Sequence, residues 1–235
     1  MNASRPQIKA IFLDLDDTLI NMKRASHFAF NETLTRHGLR RVSYQEMLAN
    51  WDTSWRVVVT NLAPDNTDVD KLVTDIGKEY FEMFFKIHLE HSTLMTGAVT
   101  TLQTLRTMKL LTAIVSRRRL RVINEELDKF KLRQYLDTIV GREDVTQVKP
   151  APNALTLAAE RLTVPIAQCL MVGDSPNDVK AGKAAGTKTA AVLTGPYALE
   201  TILTEKPDVV VDSIADLVTV LDRDFDCIQL NNRME

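Results

Sequence analysis

The stretch Ile11-Phe12-Leu13-Asp14-Leu15-Asp16-Asp17-Thr18 joins an apolar run to three carboxylates within four residues. The apolar run predicts a buried strand, and a buried strand has no structural need for acids crowded at its C-terminal end. Because like charges at this spacing repel one another, we expect a positively charged partner to hold them. A divalent metal ion, bound together with a phosphate substrate, is the natural candidate.

The chain of 235 residues has an ordinary globular composition, with 45% hydrophobic residues. Its 29 basic and 31 acidic residues give a net charge of −2, which argues against a protein built chiefly to bind nucleic acid or an anionic membrane. No stretch approaches the roughly 18 apolar residues of a membrane span, and the N-terminal residues lack a signal-peptide pattern. The cysteines Cys169 and Cys227 predict neither a metal site nor a disulfide framework, which suits a cytoplasmic location. No pattern specifies an oligomeric state.

Short apolar segments alternate with helical patterns through most of the chain. The predicted strands are 9–15, 110–116, 138–141, 169–174, 187–193 and 209–211, and the predicted helices are 98–108, 120–130, 153–162, 177–185 and 214–221. This alternation predicts an α/β fold, with a Rossmann-like, mostly parallel sheet and helices on both faces. Sites in such sheets form beyond the carboxyl ends of the strands, which is where the first acid cluster falls.

Residues 21–96 break this alternation, because they hold helical patterns and no convincing strand. We predict an inserted all-α cap domain here, and a catalytic core made of residues 1–20 and 97–235. We expect the aromatic residues of the insertion to fill the centre of a small helical bundle. These residues are Phe28, Phe30, Tyr44, Trp51, Trp55, Tyr80, Phe81, Phe84 and Phe85.

A second apolar run ends in an acid at Met171-Val172-Gly173-Asp174-Ser175-Pro176-Asn177-Asp178. Helix capping explains part of this stretch, with Ser175 as the N-cap, Pro176 at the first helical position and Asp178 at the third. Capping does not explain Asp174, which precedes the cap. Gly173 would let the backbone approach a neighbour closely.

Side chains two apart on a strand share a face, so we expect Asp14 and Asp16 to project into one site and Asp17 to point the other way. Ser116 ends another predicted strand, and its hydroxyl could donate to a phosphate oxygen. Lys149 is a compact positive charge that suits phosphate and acids. Taken singly, Ser116 and Lys149 are explained equally well as an ordinary strand end and a surface lysine.

Taken together and in chain order, these residues resemble the haloacid dehalogenase-like hydrolase superfamily. The family pattern is Asp-x-Asp-x-Thr, then Ser or Thr, then Lys, then Gly-Asp-x-x-x-Asp. The matching positions are Asp14, Asp16, Thr18, Ser116, Lys149, Gly173, Asp174 and Asp178. The resemblance covers nearly the whole chain, including a helical cap after the first strand, and implies a phosphatase similar to the phosphoglycolate phosphatases.

The resemblance also implies a role for each matching residue. Asp14 would attack phosphorus and form an aspartyl-phosphate, while Asp16 would protonate the leaving oxygen and later activate water. Mg²⁺ would be held by Asp14, by the backbone carbonyl of Asp16, by Asp174 and, nearby, by Asp178. Thr18, Ser116 and Lys149 would contact the phosphoryl group of a small phosphorylated metabolite.

The chain departs from many relatives where Ser116 is followed by Arg117-Arg118-Arg119 instead of by Asn. A solvated loop explains these arginines. Alternatively, Arg117 reaches the substrate and favours an anionic one. Other functions also share parts of the pattern, namely a sugar phosphomutase, a haloacid dehalogenase and a non-enzymatic phospho-acceptor or regulatory protein. A leaving halide needs no protonation, so Asp16 argues against the dehalogenase.

Overall fold

The computed structural model describes residues 5–49 and 55–227, with only the backbone of Trp55. The chain divides into two compact units. The first joins Met1–Ile20 to Leu94–Glu235, and the second is Asn21–Thr93. The predicted insertion ran from 21 to 96, three residues beyond the second unit.

The described part of the first unit is built on a six-stranded parallel sheet. The described residues of the whole chain form ten strands, which are β1 (Gln7–Ile8), β2 (Ala10–Leu13), β3 (Ile20–Asn21), β4 (Thr93–Leu94), β5 (Leu111–Val115), β6 (Thr138–Val140), β7 (Cys169–Gly173), β8 (Lys188–Val192), β9 (Val209–Val211) and β10 (Asp226–Cys227). The order in the sheet is β6-β5-β2-β7-β8-β9, and every neighbouring pair is parallel. The short strands pair as β1 with β10 and β3 with β4. The predicted α/β class and parallel sheet are confirmed.

The helices fall into both units. They are α1 (Lys23–Arg36), α2 (Tyr44–Ala49), α3 (Trp55–Leu62), α4 (Val69–His91), α5 (Ala98–Thr107), α6 (Leu120–Lys129), α7 (Asn153–Leu162), α8 (Pro176–Ala185), α9 (Leu199–Thr204) and α10 (Leu217–Asp224). No helix among the described residues is both long and apolar enough to cross a membrane.

The apolar sequence of β2 explains its central place in the sheet. Each of its four side chains is fully buried, and the strand lies between β5 and β7, with Phe12 opposite Ala113 and Met171. One face of the sheet packs on small and apolar side chains of α7 and α8, including Ala158 and Ala181. A central parallel strand buried on both faces needs this continuous apolar run, which is the pattern that the sequence shows.

The second unit packs α1 to α4 around a core that is mainly aliphatic. Leu34, Val59 and Ile76 are fully buried in it, together with Phe30. Phe30 and Phe84 are buried as predicted, whereas Phe28, Phe81 and Phe85 are each more than one third exposed. The expectation that aromatic residues fill the bundle is therefore wrong for these three, because aliphatic side chains already occupy the centre. Trp51 lies outside the described residues.

Candidate active site

Three neighbouring strands end at the same edge of the sheet, and a polar residue follows each of them. Asp14 follows β2, Ser116 follows β5 and Asp174 follows β7. The parallel registers of β2 with β5 and β7 place these strand ends side by side. The N–H of Asp14 donates to the carbonyl of Val172 at 2.9 Å, so the ladder continues to the first acid. Residues far apart in sequence thus meet at one edge.

Three acids form a tight cluster at this edge. Asp14, Asp174 and Asp178 each place a carboxylate oxygen within 4.8 Å of the other two. All three residues are buried. Carboxylates this close cannot all stay ionised in a buried place unless positive charge neutralises them.

Lys149 supplies one positive charge to this cluster. Its ammonium donates to Asp14 Oδ1 at 2.5 Å, to Asp178 Oδ1 at 2.6 Å and to the carbonyl of Val115 at 2.8 Å. Burial alone would lower the pKa of Lys149, but the charges of Asp14 and Asp178 outweigh it and raise this pKa. Lys149 is 3% exposed, so it is not the surface lysine that it resembles in isolation.

Asp178 has both of its carboxylate oxygens occupied. Oδ1 accepts from Lys149, and Oδ2 accepts from the backbone N–H of Ser175 at 3.1 Å and from its hydroxyl at 2.6 Å. This is the predicted capping box at the start of α8. A Cβ on Gly173 would lie 2.3 Å from Asp178 Cγ, so only glycine allows this approach. Asp178 therefore caps helix α8 and also accepts a hydrogen bond from Lys149.

The cluster holds less positive than negative charge, because one ammonium group faces three carboxylates. Burial first, and then the charges of Asp178 and Asp16, raise the pKa of Asp14 to about 7 even though Lys149 lowers it. Burial and the charges of Asp14 and Asp178 likewise raise the pKa of Asp174 well above its ordinary value. Within the described residues, Asp14 Oδ2 and the carboxylate of Asp174 have no hydrogen-bond partner. Oxygen ligands of this kind suit Mg²⁺.

Gly195 leaves room for the carboxylate of Asp174, and the sequence analysis did not single out this glycine. A Cβ at this position would lie 2.2 Å from Asp174 Oδ2, which is closer than real Cβ contacts allow. We expect Gly195→Ala to displace the carboxylate of Asp174 and to weaken Mg²⁺ binding about tenfold or more, a change of roughly 1.4 kcal/mol. Calorimetric titration with Mg²⁺ measures the change. A variant with wild-type Mg²⁺ affinity and an unchanged melting temperature would contradict this role.

Asp16 and Asp17 do not follow the strand geometry predicted for them, because β2 ends at Leu13. Asp17 has a φ of 52°, and its N–H donates to the carbonyl of Ile20 at 2.6 Å, so the chain turns here. The charge of Asp17 contributes to the raised pKa of Asp174. Asp17 is buried but is not one of the three clustered acids.

Asp16 pairs with an arginine of the loop after β5. Arg118 Nε donates to Asp16 Oδ2 at 2.6 Å, and the charge of Asp16 contributes to the raised pKa of Asp14. The side chain of Asp16 is not one of the clustered acids. Thr18 is fully buried, and its hydroxyl has no hydrogen-bond partner within the described part of the chain.

Ser116 and Arg117 have different surroundings. Ser116 is buried, and its Oγ accepts the N–H of Arg118 at 3.2 Å, which leaves the hydroxyl proton free to donate. Arg117 is exposed and has no hydrogen bond or ion pair within the described residues. The structure thus brings Arg118 to the acids and not Arg117, whose role toward a substrate stays a prediction.

Glu126 is a buried acid that the sequence analysis missed. It lies on α6 with no exposed surface, among the buried residues Val122, Ile123 and Leu127. Burial first, and then the charge of Asp16, raise its pKa to about 8, while Arg118 lowers it. The signal was present in the sequence, because Glu126 falls three or four residues from apolar positions on the buried face of an amphipathic helix.

The raised pKa of Glu126 predicts a pH-dependent stability. The folded state keeps the proton up to pH about 8 and the unfolded state loses it near 4.5, so this group lowers the free energy of unfolding as pH rises between these values. We expect Glu126→Gln, which mimics the protonated form, to gain stability relative to wild type across that window. Melting temperatures measured from pH 5 to pH 8 test this. Glu160→Gln, at an exposed position of α7, is the control and should show no such gain in stability.

The sequence that forms this site is similar to a described protein family and to curated proteins. The sequence model described as haloacid dehalogenase-like hydrolase matches residues 11–192, a span that holds the whole acid cluster. Pyrophosphatase PpaX of Bacillus cereus is 31% identical over 221 residues, which are 92% of this chain and 97% of that protein. Phosphoglycolate phosphatase of Pseudomonas fluorescens is 30% identical over 214 residues, which are 89% of this chain and 78% of that protein.

A solved structure shares the fold. The crystal structure of a putative haloacid dehalogenase-like hydrolase from Bacteroides fragilis superposes with a TM-score of 0.74. The match covers 90% of this chain and all of that chain at 24% sequence identity. The two chains therefore share a fold although their sequences differ at most positions.

Proposed function

Because this chain belongs to the haloacid dehalogenase-like hydrolase family, we propose that it is a Mg²⁺-dependent phosphatase that hydrolyses a small phosphorylated metabolite through an aspartyl-phosphate on Asp14. The observation that carries the proposal is the convergence of Asp14, Asp174 and Asp178 around Lys149. Catalysis of phosphoryl transfer depends mainly on positioning the reacting groups and on neutralising their charge, and this arrangement can do both.

Asp14 has the properties of a nucleophile in this proposal. Lys149 holds Oδ1, so Oδ2 is the oxygen that can approach phosphorus. Mg²⁺, held by Asp14, Asp174 and the backbone carbonyl of Asp16, would neutralise negative charge on the carboxylates and the phosphoryl oxygens. Asp178 supports this site because it accepts a hydrogen bond from Lys149 and so holds the ammonium group in place. Burial, together with the charges of Asp178 and Asp16, raises the pKa of Asp14 to about 7 in the metal-free protein, so a bound cation would favour the ionised nucleophile.

The reaction then takes two displacements. Asp14 attacks phosphorus, the bond to the leaving oxygen breaks, and Asp16 gives that oxygen a proton. Water next attacks the aspartyl-phosphate and passes a proton to Asp16, which restores both acids. The buried hydroxyls of Ser116 and Thr18 are donors for the phosphoryl oxygens.

The relatives suggest where to look for the substrate. One is named for pyrophosphate and another for phosphoglycolate, both small and strongly anionic. We propose a substrate of this size and charge, and a screen of phosphorylated metabolites that measures released phosphate would identify it. Isomerised sugar phosphate without free phosphate would instead indicate a phosphomutase, and a lasting phosphoprotein without turnover would indicate a regulatory role.

Removal of divalent metal tests the cofactor. We expect a chelator to lower phosphate release at least about a hundredfold, since the acid cluster would then repel an anionic substrate, and added Mg²⁺ to restore it. The same titration on Gly195→Ala should need more Mg²⁺ for half-maximal rate. Full activity in chelator would contradict the metal dependence.

A further inference from the structure

The side chain of Arg118 joins two stretches of the chain that lie 102 residues apart. Its Nε donates to Asp16 Oδ2 at 2.6 Å. The Arg118 side chain is 15% exposed and that of Asp16 is 35% exposed, so the guanidinium is the more deeply buried partner. A short, charge-assisted contact that is largely shielded from solvent constrains geometry better than an exposed ion pair does.

The backbone of Arg118 is also held on both sides. Its N–H donates to Ser116 Oγ at 3.2 Å, and its carbonyl accepts the N–H of Arg142 at 2.8 Å. A Cβ on Gly141 would lie 3.1 Å from the same carbonyl oxygen, so the end of β6 packs tightly against this loop. The backbone from which the guanidinium extends is therefore anchored to Ser116 and to the segment that follows β6.

The contact makes the two oxygens of Asp16 unequal. Oδ2 accepts the N–H of Arg118, whereas Oδ1 is a buried atom without a hydrogen-bond partner in the described part of the chain. The contact with Arg118 therefore fixes the orientation of the Asp16 carboxyl, with Oδ1 turned away from solvent.

We propose that Arg118 is a positioning residue that holds the carboxyl of Asp16 in the orientation from which it gives a proton to the leaving group and takes one back from water. This inference rests on the proposed phosphatase function. In the first displacement Asp14 bonds to phosphorus, the phosphorus–oxygen bond to the leaving group breaks, and the proton of the Asp16 carboxyl passes to the leaving oxygen. The Asp16 carboxylate left behind keeps Arg118 as its counterion. In the second displacement water bonds to phosphorus as the phosphorus–oxygen bond to Asp14 breaks, and the Asp16 carboxylate accepts the proton that the water loses.

The test compares substrates whose leaving groups differ in their need for a proton. We expect Arg118→Met to lower kcat on an alkyl phosphate about thirtyfold or more, because Asp16 is then no longer aligned to give its proton to the leaving oxygen. Release of 4-nitrophenolate from 4-nitrophenyl phosphate in a single turnover should fall less than about threefold, because that leaving group needs little protonation. Arg121→Met removes the same charge from an exposed position nearby and should leave both rates unchanged.

A double substitution separates positioning from general damage. If Arg118 acts only through Asp16, Arg118→Met should cost nothing further in the Asp16→Asn background. Arg118→Lys keeps the charge but lacks the planar fork, so it should show the same preference for the good leaving group. This variant decides the matter if Arg118→Met does not fold, which melting temperatures would reveal.

The outcomes distinguish the two proposals. An active wild type with equal losses on both substrates, or with losses that multiply in the double variant, would overturn the role of Arg118 alone. Absence of wild-type turnover on every phosphate ester would overturn the phosphatase proposal and this inference with it. A loss confined to the alkyl phosphate and absent in the Asp16→Asn background would support both.

Discussion

Asp14→Asn should lower phosphate release at least about a thousandfold, because the amide that replaces the carboxylate is not a nucleophile toward phosphorus. The side chain keeps its size, and the parallel sheet that positions it does not depend on its charge. Steady-state phosphate release on the best substrate of the screen measures the loss. Wild-type turnover by this variant, with deamidation excluded by mass spectrometry, would contradict the nucleophile assignment.

The same variant has a second readout that does not depend on catalysis. In the metal-free protein the pKa of Asp14 is raised from 3.8 to about 7, so its ionisation lowers the free energy of unfolding as pH rises between these values. Asn cannot ionise. The melting temperature of Asp14→Asn relative to wild type should therefore increase from pH 4 to pH 7, and a constant difference would show that the pKa of Asp14 is not raised.

The sequence was sufficient to predict where the two main acid motifs meet. Fully apolar runs indicated β2 and β7, and an acid followed each run directly. In a parallel sheet the carboxyl ends of neighbouring strands lie at one edge, so the convergence of Asp14 and Asp174 needed no knowledge of side-chain packing. The predicted sheet was confirmed for the same reason, since burial on both faces imposes one clear pattern.

Turn geometry was not predictable from the same pattern. Leu15 is apolar and fully buried, which extended the predicted strand by two residues, but its carbonyl accepts the N–H groups of Leu19 and Ile20 in a tight turn. Periodicity cannot distinguish a buried leucine of a strand from one of such a turn. The two-residue strands β1 and β10 escaped prediction because they are too short to show any period.

Ion pairs between residues far apart in the sequence were also not predictable. In the run Arg117-Arg118-Arg119 the three side chains are chemically identical, and only the path of the loop after β5 decides which one meets Asp16. Glu126 was missed because a single acid in an amphipathic helix is usually exposed. Such contacts depend on tertiary structure, so the sequence did not indicate that Arg118 is the arginine that meets Asp16.

Lys149→Met should have the largest combined effect on stability and rate. It leaves Asp14 and Asp178 buried without their ammonium partner, and removing one member of a buried ion pair costs about 3–5 kcal/mol. Loss of its charge beside the nucleophile should lower phosphate release at least about a hundredfold. Chemical denaturation and phosphate release measure the two effects. Lys180→Met is the matched control, since Lys180 pairs with Glu205 at the surface and should change stability by less than about 1 kcal/mol.

Mg²⁺ should distinguish this electrostatic account from a simple packing defect. Without Lys149 the cluster of Asp14, Asp174 and Asp178 has only a divalent cation left to neutralise it. Mg²⁺ should therefore raise the melting temperature of Lys149→Met more than that of wild type, and so should acid, which protonates the same carboxylates. If the variant were destabilised but gained no more from Mg²⁺ or low pH than wild type does, the lysine would be needed for its volume and not for its charge.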